Sequence, residues 1–279
     1  MTQKLRFDEI NYWSELKHEI LNDYAAAYSK IFASNKQARF EHVYIDAFAG
    51  GGIHLSKSSG DFVPGSPLNA LQVEPAFKEF YFIDMDGKKL AQLRQIVGDR
   101  PDVHFYEGDS NEILIKKVFP DVQYDQYRRA LCLLDPYGLS LDWKVIERAG
   151  HLGTIDLFLN FPIMDMNRNA IWRNPEKVDP QDVARMTAFW GDESWRQIAY
   201  RQIDTLFGKE DEKAPNEVIA EAFRERLQKV AKFPVVPEPL AMKNSKGADV
   251  YYLFFASQKK TAETIAKAIF KKYRGKGFV

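Results

Sequence analysis

Five apolar runs each close on a polar side chain, and they recur on a nearly fixed beat. Val43-Tyr44-Ile45 ends at Asp46, Phe80-Tyr81-Phe82-Ile83 at Asp84, and Val103-His104-Phe105-Tyr106 passes through Glu107-Gly108 to Asp109. The run from Leu131 to Leu134 ends at Asp135, and that from Ile155 to Leu159 at Asn160. The closing residues stand 38, 25, 26 and 25 positions apart. About 25 residues accommodates one strand, one crossover helix and two short loops. The long first interval contains a polar, glycine-bearing stretch at 53–64, and reading those 12 residues as an inserted loop restores an interval of 26. Amphipathic patterns at 87–97, 110–119 and 141–149 fill the other intervals. Near-continuously apolar strands alternating with helices require a parallel sheet covered on both faces.

Outside that series the pattern changes. Residues 8–33 carry Ile10, Trp13, Leu16, Ile20, Tyr24 and Tyr28 at helical spacing, which predicts one or two helices. Residues 161–215 show no strand signal and are rich in Trp, Arg and Asn. Near the end, 233–242 and 249–255 are β-rich and are separated by Lys243-Asn244-Ser245-Lys246-Gly247-Ala248, which reads as a hairpin. The expected organisation is a helical extension over 1–42, a ligand-binding core over 43–160, a helical insert over 161–214, and a helix, hairpin and final helix completing the core over 215–279.

Bulk properties narrow the function classes little. Lys plus Arg and Asp plus Glu balance at 39 each, so any attraction for nucleic acid must come from a local surface. One cysteine, Cys132, sits inside an apolar run, which rules out a disulfide framework or a cysteine-rich metal site within this chain. The five histidines include no pair at metal-binding spacing, so no metal is expected. The amino-terminal sequence lacks the form of a signal peptide and no window reaches the length of a membrane span, which points to the cytoplasm and away from a membrane.

In an open α/β sheet, ligands bind beyond the carboxyl ends of the strands, where strand order reverses. The polar residues above all stand there. Asp46-Ala47-Phe48-Ala49-Gly50-Gly51-Gly52 is a glycine loop in which backbone can approach a ligand and take positive φ. Asp84 suits a pair of ribose hydroxyls, because an ionised carboxylate accepts several hydrogen bonds. A helix cap is the competing role, and Asp86 fits that role better. Asp109 has the same two possible roles. No Gly-Lys-Ser/Thr follows the glycines, which excludes a P-loop.

These motifs resemble those of class I, Rossmann-like S-adenosylmethionine-dependent methyltransferases. Asp46, Phe48, Gly50 and Gly52 match their D-x-F-x-G-x-G loop, and Asp84 and Asp109 match their ribose and adenine acids. The resemblance implies S-adenosylmethionine as cofactor. It also implies a mostly parallel seven-stranded sheet whose last two strands form an antiparallel hairpin. Leu134-Asp135-Pro136-Tyr137-Gly138 resembles the (D/N/S)-P-P-(Y/F/W) signature of enzymes that methylate exocyclic amines of nucleobases in DNA or RNA. By that resemblance Asp135 and the Pro136 carbonyl accept the amine N–H bonds while Tyr137 stacks on the base. The second proline is missing, and Tyr137 stands in its place. The alternative is a turn leading into the next helix.

Beyond the fifth run, Asn160, Asn167, Arg168 and Asn169 are candidate substrate contacts, with a surface loop as the alternative reading. Trp172, Arg173, Trp190, Trp195 and Arg196 make the insert a candidate recognition region, with a small helical core as the favoured reading of the tryptophans. Lys271-Lys272-Tyr273-Arg274-Gly275-Lys276 makes the carboxyl terminus basic, as a phosphate contact or a solvated helix end. The glycine loop, L-D-P-Y-G-L and the N-F-P-x-M-D-M-N-R-N run together resemble the three-Cys-motif partner (TcmP) family. That likeness implies a partner protein carrying the cysteines this chain lacks. Three functions stay open at this point: nucleobase methylation, methylation of a small molecule or protein, and a non-catalytic scaffold role on the same fold.

Overall fold

The computed structural model describes residues 7–34, 40–205 and 208–274. The amino-terminal residues 1–6 and the 275–276 end of the basic run lie outside them. In chain order the elements are β1 (Asp8–Ile10), α1 (Tyr12–Ser34), β2 (Glu41–Asp46), β3 (Ile53–Ser56), β4 (Phe62–Pro64) and α2 (Ser66–Leu71). Then come β5 (Glu79–Asp84), α3 (Gly87–Val97), β6 (Val103–Glu107), α4 (Ser110–Ile113), β7 (Arg128–Leu134), α5 (Trp143–Leu152) and β8 (Ile155–Phe161). The insert holds α6 (Ile163–Asn169), α7 (Pro180–Trp190), α8 (Trp195–Ala199), β9 (Tyr200–Thr205) and β10 (Gly208–Lys213). The chain continues through α9 (Asn216–Lys229), β11 (Leu240–Lys243), β12 (Asp249–Ala256) and α10 (Lys260–Tyr273).

Seven strands form the main sheet in the order β11-β12-β8-β7-β2-β5-β6. Strands β2, β5, β6, β7 and β8 are parallel to their neighbours in that series. Strand β12 runs antiparallel to both β8 and β11. This is the mostly parallel, Rossmann-like sheet closed by an antiparallel hairpin that was expected. Side chains alternate between two cores, as a sheet buried on both faces requires. Val43, Ile45, Ile83, Cys132, Leu134, Leu157 and Leu159 face one core, under α5 to α9. Tyr44, Phe80, Phe82, Leu131, Leu133, Phe158 and Phe255 face the other, with α1, α3 and α10.

The chain moves outward from β2 through β5 to β6, then returns to lay β7 on the other side of β2. The switch in direction therefore falls between β2 and β7, where Asp46 pairs in register with Leu133. That register alone brings the glycine loop and the Asp135 loop side by side.

Four expectations need correction. Residues 53–64 are not a plain loop: β3 and β4 form an antiparallel pair that β1 joins in parallel through Asp8, Glu9 and Ile10. Ile10 consequently belongs to a strand, and α1 is one helix. The insert is helical only as far as Ala199, because Tyr200–Thr205 pairs antiparallel with Gly208–Lys213. Those strands are mostly polar and carry no apolar alternation, so the period that reveals a strand is missing. The run at 233–242 supplies only Leu240–Lys243 to the sheet. Pro234, Pro237 and Pro239 lack the N–H a ladder needs, and before Leu240 only Val235 bridges, to Ser257. No helix among the described residues is long and apolar enough to cross a membrane.

Candidate active site

A cleft of about 530 Å³ opens at the carboxyl end of the sheet. The β2 loop contributes Phe48, Ala49 and Gly50, the β7 loop contributes Asp135, Pro136, Tyr137 and Gly138, and β8 contributes Asn160. Helix α1 adds Ser14, Lys17 and His18, while His54, Ser66, Lys89 and the β1 strand complete the wall.

Asp135 is the most tightly held acid of the group. Its Oδ2 pairs with the Lys17 ammonium, and Asn160 Nδ2 donates to its Oδ1 at 2.7 Å. Burial pushes the Asp135 carboxyl up. Lys17, first by charge and then by hydrogen bonding, together with the Asn160 hydrogen bond, outweighs that and brings it below the ordinary value. Asp135 is therefore ionised at neutral pH, and each oxygen keeps a further acceptor site. Lys17 was not singled out in the sequence, yet a signal was present. It lies on the α1 stripe with Leu16, Ile20, Leu21 and Tyr24, where a lysine is misplaced unless a charge awaits it. His18 stands beside it, with the His54 ring centroid 5.7 Å away. Burial, Lys17 and His54 hold the His18 imidazole down to about 3, so it is neutral in the cleft.

Asp84 is buried at the end of β5. Its Oδ2 accepts from the Gly50 amide at 2.7 Å and its Oδ1 from the Asp86 amide at 2.8 Å, so it ties the second strand end to the glycine loop. Asp86 caps α3 by accepting from the Lys88 and Lys89 amides. Asp46 is fully buried and accepts from the Phe48 amide at 3.2 Å. Burial drives its carboxyl up to about 7, against the pull of Ser66 and the Phe48 amide. Asp46 braces the loop from below and does not line the cleft. Asp109, exposed after β6, caps α4 by accepting from the Asn111 amide at 2.9 Å, which leaves its second oxygen clear. Asn111 then bridges to the β7 loop, donating to Ser140 O and accepting from the Asp142 amide.

Tyr137 is 61% exposed at the cleft mouth, with Lys89 Nζ 5.4 Å from its ring centroid and the Phe48 ring 6.5 Å away, edge-on. Lys89 is itself paired with Asp8 of β1, so the first strand borders the mouth. The turn that the missing second proline would have shaped is made by Gly138, at φ 58°. A Cβ there would come within 2.5 Å of Asp165 Oδ2, so the loop packs directly on α6.

Of the predicted substrate contacts, only Asn160 reaches the cleft. Asn167 donates to Asn216 Oδ1 at 3.0 Å and so ties α6 to α9, while Asn169 donates to Asp165 Oδ1 at 2.9 Å within α6 itself. Arg168 is exposed on the flank of that helix. Among the insert tryptophans, Trp190 and Trp195 are core. The basic carboxyl-terminal helix is also largely committed, with Lys272 paired to Asp23 and Arg274 to Glu238.

The glycines provide a direct test of whether a ligand occupies this loop. Gly50 and Gly52 take φ of 63° and 82°, a region where any other residue is strained by about 1–2 kcal/mol. A Cβ on Gly50 would meet nothing within 4 Å, whereas one on Gly52 would strike Leu93 Cδ1 at 2.6 Å. The space over Gly50 is thus a cradle. Gly52→Ala should lower the melting temperature more than Gly50→Ala. Gly50→Ala should keep most of the stability yet lose binding of whatever fills the cradle, about tenfold or more. Equal loss of ligand binding in both variants, scaling only with stability, would deny the cradle that role.

No protein-family model and no curated relative matches the chain. Among solved structures it is similar to protein LPL1258 from Legionella pneumophila, family DUF519. The identity is 12% and the TM-score 0.56, over 96% of this chain and 94% of that one. At that identity the likeness shows a shared fold. Looser likenesses include an S-adenosylmethionine dependent methyltransferase from Mesorhizobium loti (11% identity, TM-score 0.40, 84% of this chain and 99% of that one). A SAM-dependent methyltransferase of the DUF858 family from Leishmania major is another (9% identity, TM-score 0.38, 88% and 82%).

Proposed function

We propose that this chain is an S-adenosylmethionine-dependent methyltransferase whose acceptor is an exocyclic amino group of a nucleobase. The observation that carries the reading is the ionised Asp135, held by Lys17 and Asn160 in the same cleft as the open cradle over Gly50. The residues present fit the cofactor. The Gly50 loop would take the methionine end, the remaining acceptor sites of Asp84 the ribose hydroxyls, and the clear oxygen of Asp109 the adenine amine. Met85, 70% exposed directly after Asp84, offers an apolar surface for the adenine ring. Bound there, S-adenosylmethionine supplies an electrophilic methyl group on its sulfonium sulfur.

The chain's own groups deal with the acceptor. An aryl amine is a poor nucleophile because its lone pair is delocalised into the ring. Asp135 and the Pro136 carbonyl accept its two N–H bonds, which favours the pyramidal nitrogen and stabilises the positive charge that grows on it. The nitrogen lone pair would take the methyl group that the bound cofactor supplies, the C–S bonding pair staying on sulfur, and the surplus amine proton would pass to water at the open cleft mouth. Tyr137, exposed at the mouth, packs on the base once it has left its stack. Lys17 keeps Asp135 ionised throughout, and neutral His18 adds no competing charge.

Calorimetric titration with S-adenosylhomocysteine, followed by assay with a labelled methyl donor on RNA and DNA, tests this. One-to-one binding and label in the nucleic acid, abolished by Asp135→Ala with cofactor binding intact, is the expected result. Absence of binding at millimolar ligand would end the methyltransferase reading. Binding with label only in protein or small molecules would end the nucleobase reading. Binding with no turnover would move the chain to the scaffold role, and with it the search for a cysteine-motif partner.

A further inference from the structure

If the acceptor is a nucleobase, the rest of the nucleic acid must rest somewhere beside the mouth. We infer that the surface formed by Arg168, Trp172 and Arg173 is the dock for an unpaired stretch of nucleic acid whose target base enters the cleft. The inference rests on the proposed acceptor and names the surface that selects its form.

Trp172 behaves unlike the other tryptophans of the insert. Trp190 and Trp195 are each 1% exposed and donate to Ser194 and Thr187 within the core. Trp172 is 41% exposed, and its Nε1 donates to the Arg168 carbonyl at 2.6 Å. That bond fixes the indole against the last turn of α6 while leaving ring surface in solvent, so stacking on it costs little further ordering. The arginines near it in sequence, Arg168 and Arg173, are equally uncommitted. Arg185, Arg196 and Arg201 of the same segment are paired with Asp182, Glu193 and Glu212. Arg168 and Arg173 are exposed, and among the described residues no carboxylate lies within ion-pair distance of either.

The position relative to the cleft follows from α6. Asp165 at its start packs on Gly138 of the Asp135 loop. Arg168 is three residues further, about 4.5 Å along a helix axis. The patch therefore begins one turn from the loop that presents Tyr137. A free aromatic face with flanking guanidinium groups recognises exposed base faces and phosphates together. A duplex hides its base faces, so the partner is a single strand or an open loop. An unpaired base also costs least to bring into the cleft.

Fluorescence anisotropy with a labelled unpaired oligoribonucleotide, the same sequence as DNA, and the corresponding duplex tests the dock. Both single strands are expected to bind more tightly than the duplex, and the RNA and DNA arms together report whether the sugar is read. Trp172→Ala should weaken single-strand binding about tenfold, with Trp172→Phe restoring most of it. The double variant Arg168→Ala/Arg173→Ala should weaken binding and flatten its salt dependence. Affinity for S-adenosylhomocysteine should stay at the wild-type value in all three. Unchanged oligonucleotide binding in Trp172→Ala and the arginine variant, with nucleic-acid methylation intact, would overturn the dock and spare the proposed function. No binding of any oligonucleotide by the wild type, with cofactor still bound, would overturn both the dock and the nucleobase acceptor.

Discussion

Lys17→Met is expected to lower stability by about 3 kcal/mol at neutral pH, and the deficit should shrink as the solution is acidified. Removing one partner of a buried ion pair typically costs 3–5 kcal/mol, because the other charge stays buried alone. The lower end applies here, since Asp135 keeps 25% of its side-chain surface in solvent while Lys17 keeps 6%. The sign with pH follows from what holds Asp135 ionised. In the wild type its folded-state pKa lies below the ordinary carboxylate value, so its contribution is present above that value and is lost as pH falls through the folded one. Without Lys17, burial dominates over the Asn160 hydrogen bond and the folded pKa rises above the unfolded one. The variant then loses stability as pH rises through that window and recovers it as pH falls. Denaturant unfolding of both proteins at several pH values between 4 and 8 measures the difference. A deficit that does not vary with pH would show that the lysine acts by packing alone. In the methylation assay, the acid limb of the rate profile should move to higher pH, because Asp135 must lose its proton before it can accept from the amine.

The same pair shows where sequence stops informing. The apolar runs and their polar ends were readable because a parallel sheet buried on both faces needs continuous apolar strands, and its loops open at one end. From that alone Asp46, Asp84, Asp109, Asp135 and Asn160 fall at one rim. Their separate jobs were not readable. Asp46 went beneath the loop, Asn167 turned to meet Asn216 and Asn169 bonded within α6, whereas the cap that Asp109 makes was one of the two roles its position offered. Short polar elements were lost for a related reason. Strand β1 pairs with a segment distant in sequence, Asp8 against His54, and the β9–β10 hairpin, though local, lacks the alternation that announces a strand. The meeting of Lys17 with Asp135 spans 118 positions, so only the odd placement of a lysine on an apolar stripe hinted at it.

Asp84→Ala is expected to weaken S-adenosylhomocysteine binding by about a hundredfold or more. A charge-assisted hydrogen bond contributes about 1.5–3 kcal/mol, and a ribose offers two hydroxyls to one carboxylate. The substitution also has a cost in the free protein. The Gly50 amide that now donates to Asp84 at 2.7 Å would lose its acceptor in a buried setting, a penalty of about 1–3 kcal/mol. Asp84→Asn separates the two effects. Its one amide oxygen can still accept from Gly50, but its NH2 then faces the Asp86 amide, so it should lose less stability than Asp84→Ala, while the lost charge should still weaken ligand binding about tenfold beyond that loss. Calorimetry and thermal melting on the three proteins give both quantities. If Asp84→Asn binds like wild type and Asp84→Ala loses affinity only in proportion to its loss of stability, the acid is a strut for the glycine loop. If affinity falls in Asp84→Asn by more than its loss of stability accounts for, the carboxylate itself meets the ligand, and the space over Gly50 and the acid at the second strand end belong to one cofactor site.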